Sequence, residues 1–238
     1  MDKVGIIVAM QEELEEILNI MEKIEEKEIY GILYVDGIIE EKEVVVVKSG
    51  VGKVNAARTT QILIDKLNVK SVINVGSAGA LNPILNIGDI VIAEKLIQHD
   101  FDITAFNHKK GYITGVGDYI YCDKNLIKKF QKAKENIDNN TYNIKIGTIA
   151  SGDIFCTDIN MKEKIHNKFD ADCVEMEGAA IAQVCYLDKI PFIVIRSISD
   201  TPNGNNAIVF DEFVKLASKN CADILKEFLK KWVYINKN

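Results

Sequence analysis

The stretch Cys173-Val174-Glu175-Met176-Glu177-Gly178-Ala179-Ala180 places two carboxylates directly before a run of small, apolar residues. The run continues through Ile181 and Ala182, and side chains of this kind predict a helix buried in the core. Acidic side chains at the start of a helix are stabilised by the positive end of its dipole. The stretch therefore predicts a buried helix with Glu175 and Glu177 at its amino end.

A second string, Val194-Ile195-Arg196-Ser197-Ile198-Ser199-Asp200, is typical of an apolar strand that ends in a cation, two hydroxyls and an acid. Either string alone has a plain explanation, because acids often only complement a helix dipole and polar strand ends often only form turns. Ligands in open α/β sheets, however, bind just beyond the carboxyl ends of strands. Together the two strings predict one pocket surrounded by Glu175, Glu177, Arg196, Ser199 and Asp200.

The rest of the chain alternates between strand and helix patterns. Residues 4–9 form an apolar run typical of a buried strand, and the apolar spacing over residues 11–24 predicts an amphipathic helix. The β-rich pieces between residues 29 and 48, with turns at Asp36-Gly37 and at residues 40–42, predict an antiparallel meander. Further strands are predicted at residues 71–75, 88–96, 144–150 and 190–197, and further helices at 53–67, 123–138, 162–169 and 210–232.

This order predicts one α/β domain over residues 1–238, a three-layer α/β/α fold with a central twisted mixed β-sheet. The loop Ser49-Gly50-Val51-Gly52-Lys53 has the spacing of neither a P-loop nor a dinucleotide fingerprint, so it predicts a tight turn that a ligand can approach. The small residues of Gly76-Ser77-Ala78-Gly79-Ala80 predict a second loop of this kind, with Ser77, Ala78 and Gly79 as candidate ligand contacts.

Composition excludes several classes of function. With 238 residues, a net charge of −6 and Arg58 and Arg196 as its two arginines, the chain offers no basic face for nucleic acid. The five cysteines show no Cys-x-x-Cys spacing, which predicts no metal site and a reduced, cytoplasmic protein. The acids after the first apolar run do not resemble a signal peptide, and no apolar stretch approaches membrane-spanning length.

The segment Gln98-His99-Asp100-Phe101-Asp102-Ile103-Thr104-Ala105-Phe106 mixes one histidine, two acids and two aromatic rings. One histidine with two acids makes a poor metal site, because imidazole-binding metals favour further nitrogen or sulfur ligands. A contact with a protein partner through Phe101 or Phe106 is the better interpretation of this segment.

Several motifs occur in one order along the chain, and no one of them is specific alone. They are Gly5-Ile6-Ile7, Ala9-Met10, Glu12-Glu13, residues 49–57, residues 74–79, Gly88-Asp89-Ile90-Val91, His99-Asp100 with residues 102–106, Ser151-Gly152-Asp153, Val174-Glu175-Met176-Glu177, Arg196 with Ile198-Ser199-Asp200, and Phe210-Asp211-Glu212-Phe213. From residue 4 to about residue 225 this ordered set resembles the 5′-methylthioadenosine/S-adenosylhomocysteine nucleosidases, members of the purine nucleoside phosphorylase and uridine phosphorylase superfamily.

The resemblance implies a nucleoside phosphorylase-like fold and a hydrolase that needs no cofactor. Its substrates would be 5′-methylthioadenosine, S-adenosylhomocysteine and 5′-deoxyadenosine, with adenine as a product and a place in methionine salvage. Cleavage of an N-glycosidic bond requires an acid for the leaving group and a base for water. The resemblance implies that Asp200, oriented by Ser199, protonates adenine at N7, and that Glu13, helped by Arg196 and Ser77, activates the water.

The resemblance also implies the residues that bind the nucleoside. Glu177 would accept the ribose 2′- and 3′-hydroxyls, and Met176 and Met10 would pack against the sugar. Phe155 would stack on the adenine, while the backbone of Cys156 would hydrogen-bond to its edge.

A homodimer with shared active sites is the assembly that the resemblance implies. Val51 and Phe210 would line the pocket of their own subunit. Ile103 and Phe106 would instead reach into the neighbouring subunit's pocket, near the 5′-thio substituent.

Departures from the family pattern leave the preferred 5′ substituent open. Val8 stands where many relatives carry glycine, Thr114 falls about where a proline often lines the 5′ end, and residues 201–209 form an unfamiliar loop. Three other functions also remain open: hydrolysis of aminodeoxyfutalosine, phosphorolysis of purine nucleosides, and nucleoside binding without catalysis. Phosphorolysis requires an anion site, which usually contains arginine.

Overall fold

The computed structural model describes residues 3–134, 142–201 and 206–236. These residues form ten strands and six α-helices. The side chains at residues 134, 206–212 and 233–236 are outside that description. The strands are β1 (Val4–Val8), β2 (Glu22–Ile29), β3 (Ile32–Ile39), β4 (Lys42–Lys48), β5 (Ser71–Ala80), β6 (Ile90–Gln98), β7 (Ile120–Tyr121), β8 (Ile144–Ser151), β9 (Cys173–Glu175) and β10 (Phe192–Asp200). The helices are α1 (Gln11–Asn19), α2 (Lys53–Leu67), α3 (Lys124–Lys134), α4 (Ile159–Phe169), α5 (Gly178–Leu187) and α6 (Asn206–Asn236).

All ten strands belong to one mixed sheet. Strand β1 lies between β4 and β5, strand β10 pairs with β5, and these four strands run parallel. Strand β10 also pairs with β6, from which β8 and β9 lead back to β5, so that these five strands close into a ring. Strands β4, β3 and β2 extend the other side of the sheet as an antiparallel meander.

Helices cover both faces of this sheet. On one face α2 and α5 pack over a core that includes Leu63, Val72 and Ile181. On the other face α1, α3 and α6 pack over a core that includes Ile73 and Phe228. The neighbours Val72 and Ile73 point into opposite cores because successive strand residues alternate between faces. The predicted three-layer fold with a central mixed sheet is confirmed.

Two predictions for the first helix and the meander are wrong. The first helix ends at Asn19 rather than near Ile24, and Glu22–Ile29 form the edge strand β2. Residues 22–28 of this strand are exposed and mostly charged, so backbone pairing with β3 decides their conformation rather than helix propensity. The expected turn at Asp36-Gly37 lies inside β3, and the chain reverses instead at residues 30–31. The turn predicted at residues 40–42 is confirmed at residues 40–41, and all four residues of these two turns have positive φ.

The loop predicted at residues 76–80 is also wrong in its conformation. Residues 76–79 continue β5 beside Arg196 to Asp200 of β10, with a register shift between Ile198 and Asp200, and Ala80 pairs with Cys173 of β9. Small residues are tolerated in the strand because charged side chains fill the space above them, namely Arg196 and Glu13 at Gly76 and Asp200 at Gly79.

Two predicted segments run beyond the described residues. The helix expected at residues 123–138 is seen as α3, and residues 135–141 are outside the description. Residues 202–205 of the unfamiliar loop are outside it as well, and α6 begins at Asn206. Of the helices described, none combines the length and apolar character that crossing a membrane requires.

Candidate active site

A cavity of about 410 Å³ opens at the carboxyl ends of the parallel strands β1, β5 and β10. This volume lies within the range of sites that bind small molecules. The lining residues come from six separate loops or strand ends: Ala9, Met10, Glu13, Val51, Ser77, Ala78, Gly79, Ile154, Phe155, Cys156, Val174, Glu175, Met176, Glu177, Ser199 and Asp200.

Glu13 lies in the first turn of α1, just after β1, and its carboxylate is buried in the cavity wall. Its Oε2 accepts hydrogen bonds from the backbone N–H groups of Ala9 at 2.8 Å and Met10 at 3.1 Å. Its Oε1 accepts hydrogen bonds from the N–H of Ser77 at 2.9 Å and from the Ser77 hydroxyl at 3.2 Å. These four donors hold the carboxylate in one position between β1 and β5.

Arg196 and Glu175 form a buried ion pair, in which Glu175 lines the cavity and Arg196 lies behind it. Arg196 Nη2 donates to Glu175 Oε2 and also to Asn74 Oδ1 at 2.6 Å. Glu175 accepts further hydrogen bonds from the Ser151 hydroxyl and from two backbone N–H groups at the start of α5, at 2.7 and 3.0 Å. Glu175 therefore orders the start of α5, and the protein itself supplies its hydrogen-bond donors.

Glu177 is the carboxylate that joins the start of α5 to the glycine-containing turn before α2. Its Oε1 accepts a hydrogen bond from the backbone N–H of Gly52 at 2.9 Å, and its Oε2 lies 3.6 Å from Arg196 Nη2. Burial and the nearby charge of Glu175 raise the pKa of Glu177 to about 7, in spite of the opposing effect of Arg196. A carboxyl with such a pKa changes its charge within the physiological pH range.

Asp200 ends β10, and its buried carboxylate lies in the wall of the cavity. Its Oδ2 accepts a hydrogen bond from Lys162 Nζ at 2.5 Å, and the Ser199 hydroxyl lies 3.4 Å from its Oδ1. Lys162 belongs to α4 and is itself buried, so the cation and the carboxylate form an ion pair shielded from solvent.

Two glycines of β5 leave room for these charged groups. A Cβ atom at Gly79 would lie 3.0 Å from both carboxylate oxygens of Asp200. A Cβ atom at Gly76 would lie 2.0 Å from Arg196 Nη1 and 2.8 Å from Glu13 Oε1. The absence of side chains at these two positions therefore lets the charged groups approach the backbone of β5.

The remaining walls of the cavity are largely apolar. Met10 lies three residues before Glu13, Met176 directly precedes Glu177, and Val51 directly precedes Gly52, which binds Glu177. The segment after β8 supplies further apolar side chains. In that segment Phe155 is 48% exposed, so its ring is available at the cavity surface. Cys156 is buried, and burial raises the pKa of its thiol.

Among the described residues, three predicted site residues are not in the cavity lining, and a fourth has a side chain that is not described. Arg196 lies behind the wall and contacts Asn74 and the two glutamates. Ile103 and Phe106 lie in the segment after β6, and Phe106 is 76% exposed. Phe210 belongs to α6, and its side chain is outside the described residues. The other predicted residues all meet in the one cavity.

Sequence reasoning missed three buried polar residues around this cavity: Lys162, Asn74 and Ser151. A signal for Lys162 was present, because it shares the buried stripe of α4 with Ile165 and Phe169 at helical spacing. A lysine in such a stripe needs a buried partner. Asn74 and Ser151 lie in two of the family motifs, but their positions within or at the end of apolar strands did not indicate their partners.

The fold and the cavity together define the class. The chain belongs to the phosphorylase superfamily, whose family model matches residues 3–230. Within that class it is 42% identical over 231 residues to a 5′-methylthioadenosine/S-adenosylhomocysteine nucleosidase of Staphylococcus carnosus (strain TM300), covering 95% of this chain and 99% of that protein.

Solved structures show the same similarity. The 5′-methylthioadenosine/S-adenosylhomocysteine nucleosidase of S. pneumoniae with the transition-state inhibitor MT-ImmA matches with a TM-score of 0.91 and 40% identity, over 97% of this chain and 99% of that one. The futalosine hydrolase of Helicobacter pylori strain 26695 matches with a TM-score of 0.92 and 34% identity, over 97% and 98% of the two chains.

Proposed function

We propose that the protein hydrolyses the N-glycosidic bond of 5′-methylthioadenosine and S-adenosylhomocysteine, and of 5′-deoxyadenosine, and so serves methionine salvage. The observation that carries the proposal is the lining of one cavity by Asp200 and Glu13, two carboxyl groups held by different partners. A glycosidase needs two such groups, one to protonate the leaving group and one to activate water. The products are adenine and the corresponding 5-thioribose or 5-deoxyribose.

On the purine side, Asp200 delivers a proton to adenine N7 while the bond from C1′ to N9 breaks. Ser199, 3.4 Å from Asp200 Oδ1, helps to keep the carboxyl in place. Phe155 stacks on the purine ring, and the backbone of Cys156 binds its edge. Protonation of N7 lets the purine leave as a neutral molecule rather than as an anion.

On the sugar side, Glu177 accepts hydrogen bonds from the ribose 2′- and 3′-hydroxyls, with Met10 and Met176 packed against the ring. Its negative charge also stabilises the positive charge that develops on the sugar in the transition state. The N–H of Gly52 keeps one oxygen of Glu177 in position. Binding of the hydroxyls is therefore strongest when Glu177 is ionised.

Glu13 accepts a proton from the water that attacks C1′. Its carboxylate is fixed by three backbone N–H groups, whereas its contact with the Ser77 hydroxyl at 3.2 Å is longer than the others. That hydroxyl can turn to bind the water instead, and so hold it next to Glu13. Arg196 supports this arrangement from behind the wall through its charge, which lies close to Glu13 at Gly76.

The charges in the cavity favour water over phosphate as the nucleophile. Among the described residues, the lining contains four acids, Glu13, Glu175, Glu177 and Asp200, and neither lysine nor arginine. A phosphate dianion would be repelled by these acids and would lack a cationic partner in the lining. This observation favours hydrolysis over the phosphorolytic alternative.

Release of adenine from a panel of nucleosides, measured in buffer with and without phosphate, tests the proposal. We expect equal rates in the two buffers for 5′-methylthioadenosine and S-adenosylhomocysteine. Aminodeoxyfutalosine belongs in the panel, because the structural match to a futalosine hydrolase favours it as a second substrate. Strict dependence on phosphate would establish phosphorolysis, and tight binding of the nucleoside without release of adenine would establish a binding protein.

A further inference from the structure

Lys162 is the buried cation closest to the proposed acid. Its Nζ lies 2.5 Å from Asp200 Oδ2, and the two side chains are 1% and 4% exposed. Lys162 is not among the residues that line the cavity, whereas Asp200 is. The order in space is therefore Lys162, then Asp200, then the place where the purine is proposed to bind.

Fold stability alone does not explain a lysine at this position. Lys162 occupies the buried stripe of α4, beside Ile165 and Phe169, which pack on Ala150 and Val174. Replacement of buried ion pairs by apolar side chains of similar volume is often neutral or stabilising, by about 1–4 kcal/mol. An apolar residue would thus fit this stripe, and the presence of a lysine points to its chemistry.

The geometry also leaves Asp200 in one orientation. One oxygen accepts a hydrogen bond from Lys162, the other is 3.4 Å from the Ser199 hydroxyl, and a Cβ atom at Gly79 would lie 3.0 Å from both. The Lys162 ammonium therefore holds one oxygen of Asp200 from outside the cavity lining. An ammonium group has protons to give, whereas a serine hydroxyl and a glycine backbone hold none that they readily lose.

We propose that Lys162 is a positioning residue that holds, behind Asp200, the proton that Asp200 delivers to the leaving purine. This inference rests on the proposed function and deepens it. Lys162 acts only through Asp200 and does not touch the substrate.

The proton balance of the step is complete. The bond between C1′ and N9 breaks, and its electron pair stays with the purine. Asp200 gives a proton to N7, and Lys162 Nζ passes a proton to Oδ2 and becomes a neutral amine. The oxygen of water bonds to C1′, and its proton goes to Glu13. After the products leave, solvent protonates the amine and removes the proton from Glu13.

Few other titratable groups face this pair among the described residues. Cys156, in the segment before α4, lies close enough to interact with both members of the pair. Asp158 caps α4, where it accepts a hydrogen bond from the N–H of Met161, and Cys173 of β9 faces Asp200. Burial raises the pKa of both thiols, so they remain neutral across the range of the test.

The pH dependence of turnover in Lys162→Met tests the inference. A free ammonium is a weaker acid than a free carboxylic acid, so a proton held on lysine is the one that the proposal expects to sustain turnover at alkaline pH. Without Lys162, we expect kcat at pH 8 to fall about 100-fold, the usual size of a general-acid effect, and the alkaline limb of the profile to move to lower pH. A uniform loss at every pH, an unmoved limb, or a limb moved to higher pH would overturn the inference.

Lys162→Arg separates proton storage from charge. A guanidinium keeps the positive charge but does not release its proton in proteins. We expect Lys162→Arg to bind adenine as the unaltered protein does and yet to share the slow turnover and shifted profile of Lys162→Met. Recovery of the normal profile by arginine would reduce Lys162 to a fixed charge and overturn proton storage.

Lys145→Met is the matched control. Lys145 lies on β8, and its Nζ is 3.6 Å from Asp172 Oδ1. Neither residue lines the cavity, so we expect this variant to keep the normal pH profile of turnover. Thermal unfolding of all three variants verifies that they are folded. Absence of adenine release by the unaltered protein would overturn the proposed function together with the inference, whereas normal release with an unmoved profile in Lys162→Met would overturn the inference alone.

Discussion

Three carboxyl groups of one cavity have three different environments. Glu13 is held by backbone N–H groups, Glu177 lies beside another acid, and Asp200 is paired with Lys162. Because environment sets the chemistry of a carboxyl group, identical functional groups can serve as base, sugar ligand and acid. The assignment of these roles is therefore testable one residue at a time.

Replacement of Asp200 by asparagine should remove the proton donor while preserving the shape of the side chain. General-acid catalysis contributes about 100-fold to 10,000-fold, so we expect kcat for 5′-methylthioadenosine to fall by that factor. KM should change much less, because the purine pocket remains. Steady-state kinetics measures both constants, and Asp188→Asn, at an exposed carboxylate, is the control. A near-normal kcat in Asp200→Asn would contradict the role of Asp200 as the general acid.

The raised pKa of Glu177, about 7, predicts a pH effect on substrate capture. We expect kcat/KM to rise with pH through a limb near this value, because the ionised carboxylate is the better acceptor for two ribose hydroxyls. Glu177→Gln should abolish that limb and lower kcat/KM about 10-fold to 100-fold, as expected for loss of a charge-assisted hydrogen bond. The exposed Glu163→Gln is the control, and an unchanged limb in Glu177→Gln would contradict the assignment.

The same pKa predicts how Glu177 affects stability. A carboxyl whose pKa is raised in the folded state favours folding at low pH, and this contribution is lost as the pH rises through about 7. We therefore expect Glu177→Gln to be more stable than the unaltered protein at pH 8 and about equally stable near pH 4. Urea unfolding at the two pH values measures the difference, and greater stability of the variant only at pH 4 would contradict the sign.

At the scale of elements, β5 organises the site. It pairs with β1, β9 and β10, and it therefore lies next to the strands that carry Glu175 and Asp200 and to the one that precedes Glu13. Its two glycines admit charged groups that a larger side chain would displace. The site residues of the neighbouring strands therefore meet next to β5.

A methyl group at Gly79 should disturb catalysis more than folding. The new Cβ would lie 3.0 Å from both oxygens of Asp200, so the carboxyl must move by a few tenths of an ångström. Misplacement of a catalytic group by about 1 Å can cost roughly 100-fold in rate, and we expect Gly79→Ala to lose at least about tenfold in kcat. Gly147→Ala is the control, because its Cβ would meet Asp172 at 1.8 Å, outside the cavity. It should lose stability and keep its kcat per folded molecule.

At the scale of the whole molecule, the proposed assembly is a homodimer. Phe106 is 76% exposed in the single chain although it is a large apolar side chain. An aromatic residue of this kind is typical of an interface or a ligand lid. Together with Ile103 it is proposed to complete the 5′ end of the partner's cavity.

Phe106→Ala should weaken binding of the 5′-alkylthio group more than binding of adenine. Burial of a phenylalanine side chain contributes about 1.5–3 kcal/mol, so we expect KM for 5′-methylthioadenosine to rise about 10-fold to 100-fold. Inhibition by adenine should stay nearly constant. Tyr121→Ala, at another exposed aromatic side chain, is the control, and sedimentation establishes the oligomeric state. Equal losses for both ligands would argue against a lid shared between subunits.

Much of the fold was predictable because buried apolar residues recur along the sequence at the spacing of a helix or a strand. The apolar runs of β1 and β10 and the spacing of α2 indicated their elements within a few residues, whereas only the first half of β5 was indicated. The prediction failed at β2, where charged residues with good helix propensity pair along a sheet edge. Pairing of that kind depends on a neighbouring strand, and a local pattern carries no information about the neighbour.

The sequence by itself determined the family, the α/β layering and the identity of most cavity residues, because motifs and apolar periods are local properties of the chain. Only the tertiary structure decided which groups touch. Lys162 and Asp200 are 38 residues apart in the chain and 2.5 Å apart in space, and Arg196 turns out to bind Glu175 and Glu177. Distances between remote residues follow from the packing of the whole sheet, and for that reason the charge partners of the site could not be read from its motifs.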